Sequence, residues 1–128
     1  MTRALVAALA AVALALPVAP ARAQPVTVVT TFDYQYIPGH TDGDVPLQIT
    51  EGGQLLYLNT DYFGWHTVTS FATNANGDPL FTSDWIGLGE ASWVDGVESL
   101  APGAYAFYCT THGTTVMSGV LEVVPPPI

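Results

Sequence analysis

The stretch "LAPGAYAFYCTTHGTTVMSGVLEVV", residues 100–124, constrains this chain most. Its first half alternates with period two, which sets Tyr105, Phe107 and Cys109 on one face of a strand. The entry Ala101-Pro102-Gly103 suits a type II turn, with proline fixing φ and glycine supplying a positive one. A second strand, "VMSGVLEVV", stops at Pro125-Pro126-Pro127, which have no N–H to donate to a ladder. Between the strands lies a tight loop carrying Gly113 and several threonines. Cys109 stands at its start, His112 three residues on and Met117 five beyond that. The spacing lets a thiol, an imidazole and a thioether converge.

The rest of the chain reads as strands and turns. "VTVVTTFDY" (Val26 to Tyr34), "QLLYLN" (Gln54 to Asn59) and "HTVTSF" (His66 to Phe71) are rich in β-branched, aromatic or aliphatic residues. "ASWVDGVESL" alternates loosely. Two connections rich in Gly, Asp and Pro, Ile37 to Leu47 and Ala72 to Glu90, read as loops, or loops with a turn of helix. No stretch sustains apolar spacing of three and four, so long helices are not expected. Short strands and regular turns over about a hundred residues predict an all-β fold, a Greek-key β-sandwich in one domain.

Residues 1–23 stand apart. One early charge, Arg3, precedes an apolar run from Ala4 to Leu16, then prolines, then Ala21-Arg22-Ala23 at a small-residue cleavage site. This is the pattern of a secretory signal peptide, and the run is short of the ~20 residues that span a membrane. Its removal leaves residues 24–128, which carry all eleven acids and neither of the two basic residues, a formal charge of −11 with histidines neutral. Such a surface repels nucleic acid and anionic membranes and favours cationic partners; it also confers solubility outside the cell. The expected location is periplasmic or extracellular, with no stable membrane insertion.

An exported chain with one cysteine cannot form an internal disulfide. The thiol is then an intermolecular link, a reactive group, a buried small hydrophobe or a metal ligand, and an oxidising compartment favours burial or ligation. Two histidines and one cysteine in a trigonal plane, with a long axial methionine, make a mononuclear copper site. His112 supplies one imidazole; His66, 43 residues before the cysteine, is the best candidate for the other. Structural zinc asks for more cysteines or more strong donors. Iron–sulfur clusters need several cysteines. A thiol nucleophile gives the methionine no role. His40, in a Gly/Asp loop, reads as a solvated histidine, and Trp65 as a packing residue or part of a docking patch.

These residues resemble the cupredoxins of the plastocyanin and azurin type, the small blue copper proteins. The pattern C-x2-H-x4-M matches "YCTTHGTTVMSGVLEV". "LAPGAYAFYC" resembles the family's P-G-x-Y-x-F-Y-C strand, and "ITEGGQLLYLNTDYFGWHTVTS" its I-x-x-G…N…H-x-V segment. The likeness runs from about Tyr36 to Val124. It implies His66, Cys109, His112 and Met117 as ligands of one copper cycling between Cu(I) and Cu(II). Two features depart from it: the loop from Gly39 to Pro46 is longer than expected, and Trp65 stands where plant-type members have proline.

The chemistry implied is one-electron transfer by a monomeric, non-enzymatic carrier. The resemblance implies that the electron leaves through the exposed edge of His112. Donor and acceptor would be transient redox proteins with a basic docking face. A copper storage or delivery module, and a redox subunit within a larger oxidase or reductase assembly, are the other readings open at this stage.

Overall fold

A computed structural model describes residues 25–43 and 45–128; the signal-peptide expectation lies outside them. Among the described residues, eight strands form two four-stranded sheets. They are β1 (Val26–Phe32), β2 (Gln35–Ile37), β3 (Leu47–Thr50), β4 (Gln54–Asn59), β5 (Thr69–Ser70), β6 (Ala91–Trp93), β7 (Gly103–Cys109) and β8 (Gly113–Val124). The first sheet runs β2-β1-β4-β6 and the second β3-β8-β7-β5. Successive strands often lie in different sheets, and the pairs β1·β4 and β3·β8 are parallel while the others are antiparallel. The chain is an all-β sandwich, as its sequence predicts.

Alternation fills the space between the sheets. Val29, Leu55 and Tyr57 face inward from the first sheet; Leu47, Ile49, Phe107, Cys109, Met117 and Leu121 face inward from the second. Tyr36 and Phe107 meet edge to face at 4.7 Å. Gly119 opposes Phe107 in the ladder, and a Cβ there would meet the Phe107 ring at 2.5 Å, so only glycine lets that ring lie flat across the strand.

Three segments depart from their expected extents. The first strand ends at Phe32, because Asp33 and Tyr34 both take positive φ (53° and 60°) and turn the chain back so that Phe32 pairs with Gln35. This is the two-residue primed turn of a tight hairpin. The "HTVTSF" segment is a strand only at Thr69–Ser70. His66 instead forms an isolated bridge with Ile86, and Val68 bonds to Ser83, so the 81–86 loop takes the pairing a longer strand would have used. "ASWVDGVESL" is interrupted at Gly96 (φ 104°) and passes into a single 3₁₀ turn over Val97–Ser99. The long loops, as described, contain no helix.

Candidate metal centre

Cys109 is the last residue of β7, and the β7–β8 ladder slips beside it. Tyr108 pairs with Ser118 while Cys109 pairs with Gly113, so the intervening residues of β8 bulge from the register. The His112 N–H donates to the Cys109 carbonyl at 3.2 Å, closing the turn and carrying the imidazole back over the thiol. His66 arrives from the opposite side. Its backbone is clamped to Ile86 in both directions (3.0 and 3.1 Å), and its ring is fully buried.

Three donor atoms therefore meet. His66 Nδ1 and His112 Nδ1 are 3.2 Å apart, and Cys109 Sγ lies 3.7 Å from the first and 3.4 Å from the second. A point equidistant from all three lies about 2.0 Å from each, close to a metal–imidazole bond length and a little inside a metal–thiolate one. The triangle suits one ion, and two imidazoles with one thiolate in a plane are the equatorial set of a type 1 copper. Burial raises the Cys109 thiol pKa, but hydrogen bonds from His66, the Thr67 backbone and His112 outweigh it and bring it down to about 6. The thiolate, the form that binds metal, is favoured accordingly.

Asp61 completes the setting. Its Oδ2 lies 3.0 Å from His66 Nε2 and accepts the Tyr34 N–H at 3.0 Å. A proton held on Nε2 leaves the Nδ1 lone pair free for a metal, as a carboxylate behind a ligating histidine commonly arranges. Burial opposes its charge, yet the bonds from Tyr34, His66 and Phe63 hold the Asp61 carboxyl below the usual range. Burial likewise disfavours the His66 cation, but Cys109 and Asp61 together raise its pKa.

Asn59 holds this arrangement from beneath. It is fully buried, and its side chain makes four hydrogen bonds: Nδ2 donates to the carbonyls of Gly64 (3.2 Å) and Ile86 (2.9 Å), while Oδ1 accepts from the Asp61 N–H (2.8 Å) and the Thr31 hydroxyl (3.0 Å). Asn59 thus serves the backbone on both sides of the first ligand histidine. Tyr34 sets its ring edge-on to both imidazoles, 5.6 Å from His66 and 5.1 Å from His112.

The structure brings together His66, Cys109 and His112. Met117 is fully buried on β8, in the same core as Cys109. His40 is half-buried rather than solvated. It bridges Gly119, and its Nδ1 is buried without a partner. Trp65 packs on Trp85 at 4.7 Å, and Trp85 Nε1 donates to Thr111 Oγ1 at 2.9 Å, next to His112. Tyr62 and Phe63, three-quarters exposed, precede Gly64, where an added Cβ would meet both imidazoles. The sequence reading missed Asp61 and Tyr34. The one available signal was an acid five residues before a ligand histidine.

No protein-family model and no curated protein sequence matches the chain. Solved structures do. A copper-containing nitrite reductase from Thermus scotoductus SA-01 superposes with a TM-score of 0.58 at 26% identity, over 90% of this chain and 27% of the reductase, so the chain spans about a quarter of that protein's length. A reduced tryptophan-to-tyrosine variant of amicyanin matches with a TM-score of 0.58 at 18% identity, over 80% of this chain and 86% of amicyanin. An oxidised methionine-to-leucine variant of amicyanin matches with a TM-score of 0.56 at 16% identity, over 76% and 80%. The fold is the cupredoxin β-sandwich, and the His–Cys–His cluster fits a type 1 copper.

Proposed function

We propose that this protein is an exported one-electron carrier that would hold a single copper through His66, Cys109 and His112, with Met117 as a further donor. The observation that carries this reading is the triangle of Nδ1, Nδ1 and Sγ at 3.2, 3.4 and 3.7 Å. When bound there, copper supplies the Cu(I)/Cu(II) couple.

The chain's own residues do the rest. Cys109 offers a thiolate already favoured at neutral pH. Asp61 fixes the His66 ring and its tautomer. Asn59 ties the 59–64 segment and Ile86 into one rigid unit, so the donors need not move between oxidation states. His112 is only half-buried and gives the site its edge toward solvent. Exposed Tyr62, Phe63, Trp65 and Trp85 lie in the loops that meet around that edge and suit a small, short-lived interface. The acid-only surface of residues 24–128 steers a partner with a basic docking face, an encounter weakened by salt. Among the described residues no helix is long and apolar enough to cross a membrane.

The test is the visible spectrum with added Cu(II), beside a Cys109→Ser control. An intense blue thiolate-to-copper band, bleached by a mild reductant and absent from the control, is expected. A pale complex indifferent to Cys109 would sink the reading. The likeness to part of a copper nitrite reductase supports a second reading, a redox module working within a reductase assembly. Stable co-purification with a larger enzyme would favour it over a free carrier.

A further inference from the structure

The outer face of the first sheet is apolar where a solvated sheet face is ordinarily polar. Register places Val28 opposite Leu56, and Leu56 opposite Trp93, in one row across three strands. The next row joins Ile37, Thr30, Leu58 and Ala91. Val26 (50%), Val28 (45%), Phe32 (54%), Ile37 (50%) and Trp93 (49%) all lie about half exposed on this side. None of the eleven acids falls in β1, β2, β4 or β6. The second sheet differs: its outer face carries Glu122 bonded to Gln48 across the ladder at 3.2 Å.

We propose that this face pairs with the same face of a second copy, forming a two-fold dimer. Charge selects the occupant. A basic partner gains nothing from strands without an acid, whereas two copies of an all-acid chain approach at least cost where neither carries charge. The exposed parts of these side chains come to on the order of 600 Å² per copy, about 1,200 Å² for the pair, which is the lower edge of specific interfaces. The dimer is therefore concentration-dependent rather than obligate. Asp84, Asp95 and Glu98 border the face beside Trp93. Asp42 borders it at the other margin, beside Gln35 and Ile37, so acids flank the apolar rows on both sides and salt that screens them favours the pair. The expectation from the sequence is a monomer. The inference does not depend on the metal.

Sedimentation equilibrium of the protein as recovered from its producing cells, over a range of concentrations at low and high salt, tests it. A monomer–dimer equilibrium that tightens with salt is expected, the reverse of an encounter with a basic partner. Val28→Glu, at the centre of the row, should weaken it roughly tenfold or more with an unchanged far-ultraviolet spectrum. Trp93→Ser, at the open end, is the second variant should the first not fold. Phe71→Ser, at a ring that lies edge-on to Tyr108 on the second sheet, should leave association unchanged. A monomer under every condition, open-ended aggregation, association indifferent to both face variants, or loss of it in Phe71→Ser would each overturn the proposal.

Discussion

One carboxylate oxygen of Asp61 stands 3.0 Å from His66 Nε2, on the side of the imidazole opposite the cluster of donors. It fixes which nitrogen carries the proton and adds negative charge behind the ligand. Asp61→Ala should lower copper affinity about 10–100-fold, read by competition with a chelator, and raise the reduction potential. Asp61→Asn, which keeps a hydrogen-bond acceptor without the charge, should lose less. Equal affinity and potential in all three proteins would show that Asp61 does not position His66.

Asn59 is the most consequential neutral residue near the site. Truncation to alanine strands the Asp61 N–H and the Gly64 carbonyl, and leaves the Ile86 carbonyl with only the His66 N–H and the Thr31 hydroxyl with only the Tyr57 hydroxyl. Each orphaned group costs about 1–3 kcal/mol, so Asn59→Ala should cost on the order of 3 kcal/mol or more. Denaturant unfolding of the metal-free chain measures this. A loss below about 1 kcal/mol would mean that the network is not cooperative.

Gly64 combines a φ of 116° with no room for a side chain beside the two imidazoles. A Cβ there would lie 3.1 Å from His66 Cε1 and 3.6 Å from His112 Cε1. Gly64→Ala should cost about 1–3 kcal/mol through backbone strain and also change the copper absorption band. Gly77→Ala makes the comparison clean, since Gly77 has a φ of 85° and nothing within 4 Å of an added Cβ. It should lose stability and keep the spectrum. Matching spectra in both variants would separate Gly64 from the site.

Alkaline pH should reveal the buried tyrosines. Burial, chiefly, raises the pKa of Tyr36 and of Tyr57 well above the ordinary value of 10.0, with the Cys109 charge adding to the shift. Tyr36 donates to the Thr67 carbonyl at 2.5 Å, and Tyr57 pairs with the Thr31 hydroxyl at 2.7 Å. Folded tyrosines keep their protons while unfolded ones lose theirs, so stability is undiminished below about pH 10 and falls as pH rises beyond it. Phenolate absorbance should show these two ionising only with unfolding, and Tyr36→Phe should remove part of that late step. Full ionisation ahead of unfolding would contradict the burial argument.

The hairpin 100–124 was legible because alternation and donor spacing speak in the same few residues. His66 was legible by elimination, as the nitrogen the donor set lacked. Asp61 was not: in "NTDYFGWH" it is one acid among eleven, and only folding shows that it turns inward. Tyr34 was misread as the end of a strand. Its aromatic β-preference is local, whereas the turn at Asp33-Tyr34 is imposed by the pairing of Phe32 with Gln35. The apolar outer face was hidden for a related reason. Val28, Leu56 and Trp93 look like core until register puts them on the side away from it.

His66 and Cys109 come from segments 43 residues apart, and no disulfide joins any part of the chain. An ion shared between them acts as a removable cross-link that closes a long loop. Loading then resists unfolding by mass action, by an amount that grows as the logarithm of the ratio of free copper to its dissociation constant. Loss of the metal thus lowers the stability of the chain as well as emptying the site: the empty chain opens more often and is cut sooner by any protease that meets it.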